Sequence, residues 1–143
     1  MTDDVLIAFL LSFPGVSSLI GARAFPYGVL PQKRTGGELS GDLPSITVNN
    51  LSEESHHSSN QETGRPETDC YTPMRFQIDI YAATGAEVAR VDRAIRAVLD
   101  GFQGTMGATL IGGVWRRFVG PIERMPETLL FHRNVDFLIH VMG

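Results

Sequence analysis

Few residues in this chain combine the type and spacing that chemistry needs. His132, Asp136 and His140 stand four apart, a spacing that would gather three metal ligands on a helix. Their segment alternates like a strand, however. Four strand residues cover about 13 Å, whereas ligands must lie within roughly 2 Å of one ion. These three are therefore expected to be solvated residues of a sheet face. His56 and His57, with Glu53 and Glu54 nearby, make the better metal cluster and define one alternative reading, a small metal-dependent hydrolase using His56 and His57. No second cluster completes that site. Cys70 has no base beside it to raise its thiolate population. The serines lack a G-x-S-x-G elbow, and the glycine pairs at 36–37 and 112–113 match neither a P-loop nor a dinucleotide fingerprint. Asp79 and Glu87 have structural roles to fill and are not read as an acid–base pair. Arg116 and Arg117 beside Trp115 have the ingredients to stack on and grip a nucleic acid, but one basic pair in an acidic chain reads as an exposed strand position. The residues thus predict a protein that is not an enzyme, with no catalytic residue, no cofactor and no metal.

The totals narrow the classes further. The chain has 143 residues, 43 % of them apolar, which suits one domain with a real core. Its net charge is −4 with a pI near 5.5, which argues against a binder that works by neutralising phosphates. The single cysteine forms no internal disulfide, in keeping with a reducing compartment or with indifference to redox. No apolar run approaches the length of a membrane span. The apolar stretch Val5 to Phe13 follows acids and lacks a cleavage site, so no secretory signal is expected.

The elements that must position these residues are organised around Met74 to Phe102. Met74, Phe76, Ile78, Ile80 and Ala82 alternate with Arg75, Gln77, Asp79 and Tyr81, the pattern of a strand with one buried and one wet face. The period then changes. Val88, Val91, Ile95, Val98 and Phe102 recur every three or four residues, one stripe of an amphipathic helix. Thr84 and Glu87 form a capping box, Gly101 stands where a left-handed terminator is expected, and Asp92 and Arg96 read as a surface pair. Upstream, Thr2 caps a first helix with a stripe of Val5, Leu6, Phe9, Leu10 and Phe13, stopped by Pro14 and Gly15. Val16 to Ile20 adds a turn closed by Gly21. Arg23 to Pro31 is an extended connection, Gln32 to Asp42 a polar loop, and Pro44 to Leu51 a strand. Ser52 to Thr72 contains almost no large apolar residue and reads as a long polar loop between neighbouring strands. Downstream, Gly104 to Gly107 form a turn. Thr109 to Val119 is a strand with a bulge or bend at Gly112-Gly113. Pro121 to Glu127, with two prolines, is no central strand. Leu129 to Met142 is a last strand, with Leu129, Phe131, Val135, Phe137, Ile139 and Val141 on one face, interrupted by Arg133. The expected class is α+β: an antiparallel four-stranded sheet with helices packed on one face and a long polar hairpin loop.

Three segments resemble the tail-completion or tail-terminator (head–tail joining) proteins of tailed bacteriophages. The first is the opening helix followed by Val16 to Pro31, where LIGARAFPYGVLPQ looks like that family's G-x-R-[IVF]-[YF]-P…P passage. Pro44 to Val48 is a proline-led strand. Arg75 to Ala82, RFQIDIYA, precedes a helix ending in LDGF at Leu99 to Phe102, and Asn134 to Val141 loosely matches the closing strand. The likeness covers most of the chain apart from loops 32–42 and 52–72. The resemblance implies a structural virion protein: a closed ring of about six copies on the head-proximal end of the tail tube. Such a ring stops tube polymerisation and docks the tail to the head connector. The nearest related role is a neck or stopper protein on the capsid side. Implied partners are further copies of the chain, the tail tube protein and the head-side connector, with genome DNA passing through the lumen without sequence-specific binding and no membrane. The implied location is the virion tail or neck, and the host cytoplasm during assembly. A globule of this length is roughly 40 Å across, so six in a ring leave a hole about one globule wide, room for a duplex. Loops laid on a neighbour's sheet edge would both cover the edge and join subunits. Lys33, Arg34 and Glu38 in the first loop, and Glu53, Glu54, His56, His57 and Arg65 in the second, are accordingly expected at the subunit or partner interface.

Overall fold

The computed structural model describes residues 1–28, 43–53 and 71–142. Three helices, α1 (Asp3–Leu11), α2 (Pro14–Ile20) and α3 (Gly85–Leu99), accompany seven strands: β1 (Ala24–Phe25), β2 (Ser45–Glu53), β3 (Tyr71–Ala82), β4 (Gly104–Met106), β5 (Thr109–Val119), β6 (Glu123–Arg124) and β7 (Phe131–Met142). The class is α+β, but the sheet is larger than four strands and is not purely antiparallel. Its order is β1-β2-β3-β7-β5-β4, with β6 paired to β7. β1 runs parallel to β2, Ala24 opposite Ile46. The three additional strands are two or three residues long, too short to show a period of two. Glycine at both ends of 104–107 disguises β4, which pairs with β5 through Met106 and Thr109.

β3 is the middle of the molecule. It pairs antiparallel with β2 on one side and along its whole length with β7 on the other. Its inner face is Met74, Phe76, Ile78, Ile80 and Ala82, all buried. Register sets Phe76 against Phe137, Ile78 against Val135 and Met74 against Ile139, so two strands present one continuous apolar face. Val88, Val91, Ile95 and Leu99 of α3 cover it. At roughly 2 kcal/mol per large buried side chain, this sandwich dominates the stability. α3 starts as its sequence predicts: Thr84 Oγ1 accepts from the Glu87 amide at 3.2 Å. It ends at Gly101 with φ 79°.

At the amino end Thr2 Oγ1 accepts from the Val5 amide at 3.3 Å. α1 ends earlier than its apolar run suggests, because Pro14 opens α2 rather than closing α1. The buried stripe of α1 is Leu6, Ile7 and Leu10, with Val5, Phe9 and Phe13 at its margin. Arg23 ties the following passage together. Its Nε donates to the Pro44 carbonyl at 2.8 Å and its Nη2 to the Leu19 carbonyl at 3.3 Å. This one side chain clamps the end of α2 to the start of β2. Leu129 does not belong to β7. It sits in a turn at φ 59° with its amide donating to the Met125 carbonyl, and is exposed.

Candidate interaction surface

The three helices share their core with one face of the sheet. The opposite face carries no helix and holds most of the polar residues the sequence singles out. Its half nearest β2 is a hydrogen-bonded network centred on Asp79. That carboxylate accepts from Gln77 Nε2 at 2.9 Å, pairs with His132 Nε2 at 2.8 Å, and takes a longer bond from Thr47 Oγ1 at 3.5 Å. The Tyr81 ring stacks beside His132 at 5.0 Å. Burial, and secondarily the Asp79 charge, raise the Tyr81 phenol above its usual value against a smaller lowering by Thr47. Arg75 forms an ion pair with Asp136. Asp79 and Asp136 are buried, which corrects the expectation of a wet β3 face and of a solvated Asp136. A strand pattern reports which face a residue occupies. It cannot report that paired neighbours have taken the place of water.

The other half of this face, on β5, is apolar, and two bulges shape it. The pairing skips Gly112, between Ile111 opposite Val141 and Gly113 opposite His140. It skips again at Arg117, between Arg116 opposite Phe137 and Phe118 opposite Asp136. Without the second bulge Trp115 and Phe118, three apart, would point to opposite faces. With it, both share the helix-free face with Leu138. A Cβ at Gly113 would lie 2.3 Å from the Trp115 ring, so glycine lets the indole lie flat on the strand. There it meets the His140 ring at 4.5 Å. Trp115, Phe118 and Leu110 remain exposed.

On the helix side, Asp92 and Arg96 are not a surface pair. Asp92 is 1 % exposed and lies between Arg133 Nη1 at 2.8 Å and Arg96 Nε at 3.5 Å. Arg133, which interrupts the apolar stripe of β7, points under α3 to meet it. Both interruptions, an acid on the edge of the helix stripe and a base within the strand stripe, are visible in the sequence. Their partnership across 41 residues is not.

Of the residues expected at an interface, Lys33, Arg34, Glu38, Glu54, His56, His57 and Arg65 lie outside the described residues, as does Cys70. Glu53 closes β2, its backbone paired with Met74. His132, Asp136 and His140 share one strand face as predicted. Among the described residues no group of three His, Cys, Asp or Glu could hold a metal ion.

No family model matches the chain, and no curated protein matches it at a significant level. Among solved structures the fold is shared with a chain in the virion of a native gene transfer agent particle. The TM-score is 0.60 at 15 % sequence identity, and the match covers 96 % of this chain and 95 % of that one. An overlap of that extent makes this arrangement a whole fold held in common.

Proposed function

We propose that the protein is a structural subunit of a phage-like virion, a tail terminator that closes into a ring on the head-proximal end of the tail tube, halts its polymerisation and joins it to the head connector. The observation that carries this reading is the end-to-end fold match to a chain of an assembled phage-like particle. The resemblance of Leu19 to Gln32 and of Arg75 to Phe102 to tail-terminator proteins points the same way. The surface supports a role in assembly rather than turnover. Among the described residues Asp79, His132, Arg75 and Asp136 are tied into internal pairs, and Trp115 and Phe118 form an exposed aromatic patch suited to a protein contact. No catalytic role and no cofactor belong to this reading. Lys33, Arg34, Glu38, Glu53, Glu54, His56, His57 and Arg65 remain proposed interface positions.

Mixing the purified chain with tail tube protein tests the proposal. A terminator binds tube ends and fixes tube length, seen by electron microscopy as capped tubes of uniform extent. A chain that ignores tubes but binds the capsid connector is instead a stopper, and one that binds neither is not a neck protein.

A further inference from the structure

β5 is the outermost long strand on its side of the sheet. One of its edges pairs with β7 from Leu110 to Val119. On the other edge β4 reaches only Thr109 to Ile111, and the Gly101 amide donates to the Val114 carbonyl at 2.9 Å. That bond gives the direction of the backbone groups beyond it. Successive residues of an antiparallel strand direct their amide and carbonyl to one neighbour and then to the other. Arg116, two positions after Val114, therefore directs both away from β7. Past the bulge at Arg117 the Gly120 amide donates inward, to the Asn134 carbonyl of β7 at 2.8 Å, so Val119 before it is turned outward. Among the described residues no backbone group bonds to the outward side of Arg116 or Val119. Such a row of amides and carbonyls is matched by another extended backbone. Charges and bulges often keep strands off an edge, but a protected edge does not also expose two aromatic rings, as β5 does with Trp115 (48 %) and Phe118 (51 %).

Register sets which side chains an added strand has to carry. Trp115, opposite Leu138, and Phe118, opposite Asp136, lie on the helix-free face. Arg116, opposite Phe137, lies on the helix side, and Arg117 is the exposed residue of the bulge. No carboxylate pairs with either arginine among the described residues. An added strand alternates as β5 does. Its residues on the helix-free face meet aromatic rings, and those on the helix side meet a guanidinium that has no counter-ion. Apolar and acidic residues in alternation satisfy both sides at once.

The edges of a second copy fit this requirement poorly. Pairing two β5 edges brings Arg116 and Arg117 of one copy to those of the other, and like charges placed opposite are unfavourable. The strand at the far end of the sheet, β1, is two residues long. We infer that the open edge of β5 takes an extra strand from a different polypeptide, an extended segment in which apolar and acidic residues alternate. The inference concerns the chemistry of that partner and is independent of ring closure.

Trp115 reports on this edge directly, because it is the only tryptophan of the chain. The probe is a short end-blocked peptide alternating valine and glutamate, added to the full wild-type chain. Its binding should be saturable and should shift Trp115 fluorescence to the blue as the indole leaves water. A peptide alternating valine and lysine should bind about tenfold more weakly or worse. N-methylation should abolish binding when placed on one residue type and spare it on the other, since an added strand bonds through one edge only. The sensitive type is glutamate in an antiparallel strand, where the residue opposite Arg116 exchanges both bonds with it, and valine in a parallel one. Hydrogen exchange locates the complex: the Arg116 and Val119 amides should exchange on the order of tenfold more slowly with peptide bound. No response up to about 1 mM peptide, equal binding of the glutamate and lysine peptides, or equal effects of the two N-methylations overturns the inference. So does protection of the Arg116 and Val119 amides when the chain alone is concentrated, since a second copy then covers the edge. None of these results decides the tube-capping experiment, which tests the ring reading separately.

Discussion

Asp92 shows how much one residue can hold in place. It is a buried carboxylate between two guanidiniums, reached from a helix on one side and a strand on the other. Taking one member away leaves uncompensated charge under α3. Asp92→Leu should therefore cost about 3 kcal/mol or more of unfolding free energy, read as a lower urea midpoint at unchanged slope. Replacing the facing base as well, Asp92→Leu with Arg133→Met, should recover much of that loss, because a packed apolar pair leaves no orphaned charge. Tyr81 gives a pH-dependent counterpart. Its folded pKa is raised, so the fold favours the neutral phenol. The stability it contributes is complete below the unfolded pKa of about 10 and is lost as pH rises through the folded pKa. The stability difference between wild type and Tyr81→Phe should therefore be constant through neutral pH and shift against wild type above about pH 10. Chemical denaturation across that range measures it.

At the scale of elements, the β3–α3 unit carries its own instructions. The period-two strand, Thr84 cap, period-3.6 stripe and Gly101 terminator agree with one another, and each is found where its sequence signal lies. Thr84→Ala should cost about 1 kcal/mol by exposing the Glu87 amide, measurable by thermal unfolding. β5 is less self-contained. Its glycine pair signals a bulge, but no local feature announces the second bulge at Arg117, which depends on the pairing with β7. Deleting Arg117 should straighten the strand and leave Phe118 opposite Asp136 on the helix-free face, because Trp115 and Phe118 then stand two apart. The expected result is a folded protein whose β5 patch still binds an apolar dye, read by dye fluorescence.

For the whole molecule, polarity is organised by face. The helices cover one sheet face. The other combines a hydrogen-bonded polar network with an aromatic strip. An assembly contact made through that strip should be mainly apolar, so the assembled species should persist as salt is raised from low to physiological ionic strength, since screening acts on exposed charges more than on buried apolar area. Stopped-flow light scattering across a salt series would show little change in dissociation.

The sequence by itself determined what neighbouring residues can settle among themselves: the caps of α1 and α3, the buried face of β3, the stripe of α3, the first bulge in β5 and the α+β class. Each rests on a periodicity or a cap lying within one segment. Tertiary structure decided what depends on distant partners. β1, β4 and β6 exist only because a longer strand is beside them, and the parallel β1–β2 pair widens the sheet beyond the four strands that alternation reveals. Asp79, Asp92 and Asp136 read as surface acids because alternation and spacing record direction, not company. They become buried because His132, Arg133 and Arg75, brought in from elsewhere in the chain, replace the water that a lone carboxylate would require. The joint exposure of Trp115 and Phe118 belongs to the same class, since it follows from the register of two strands, a quantity that neither strand contains alone.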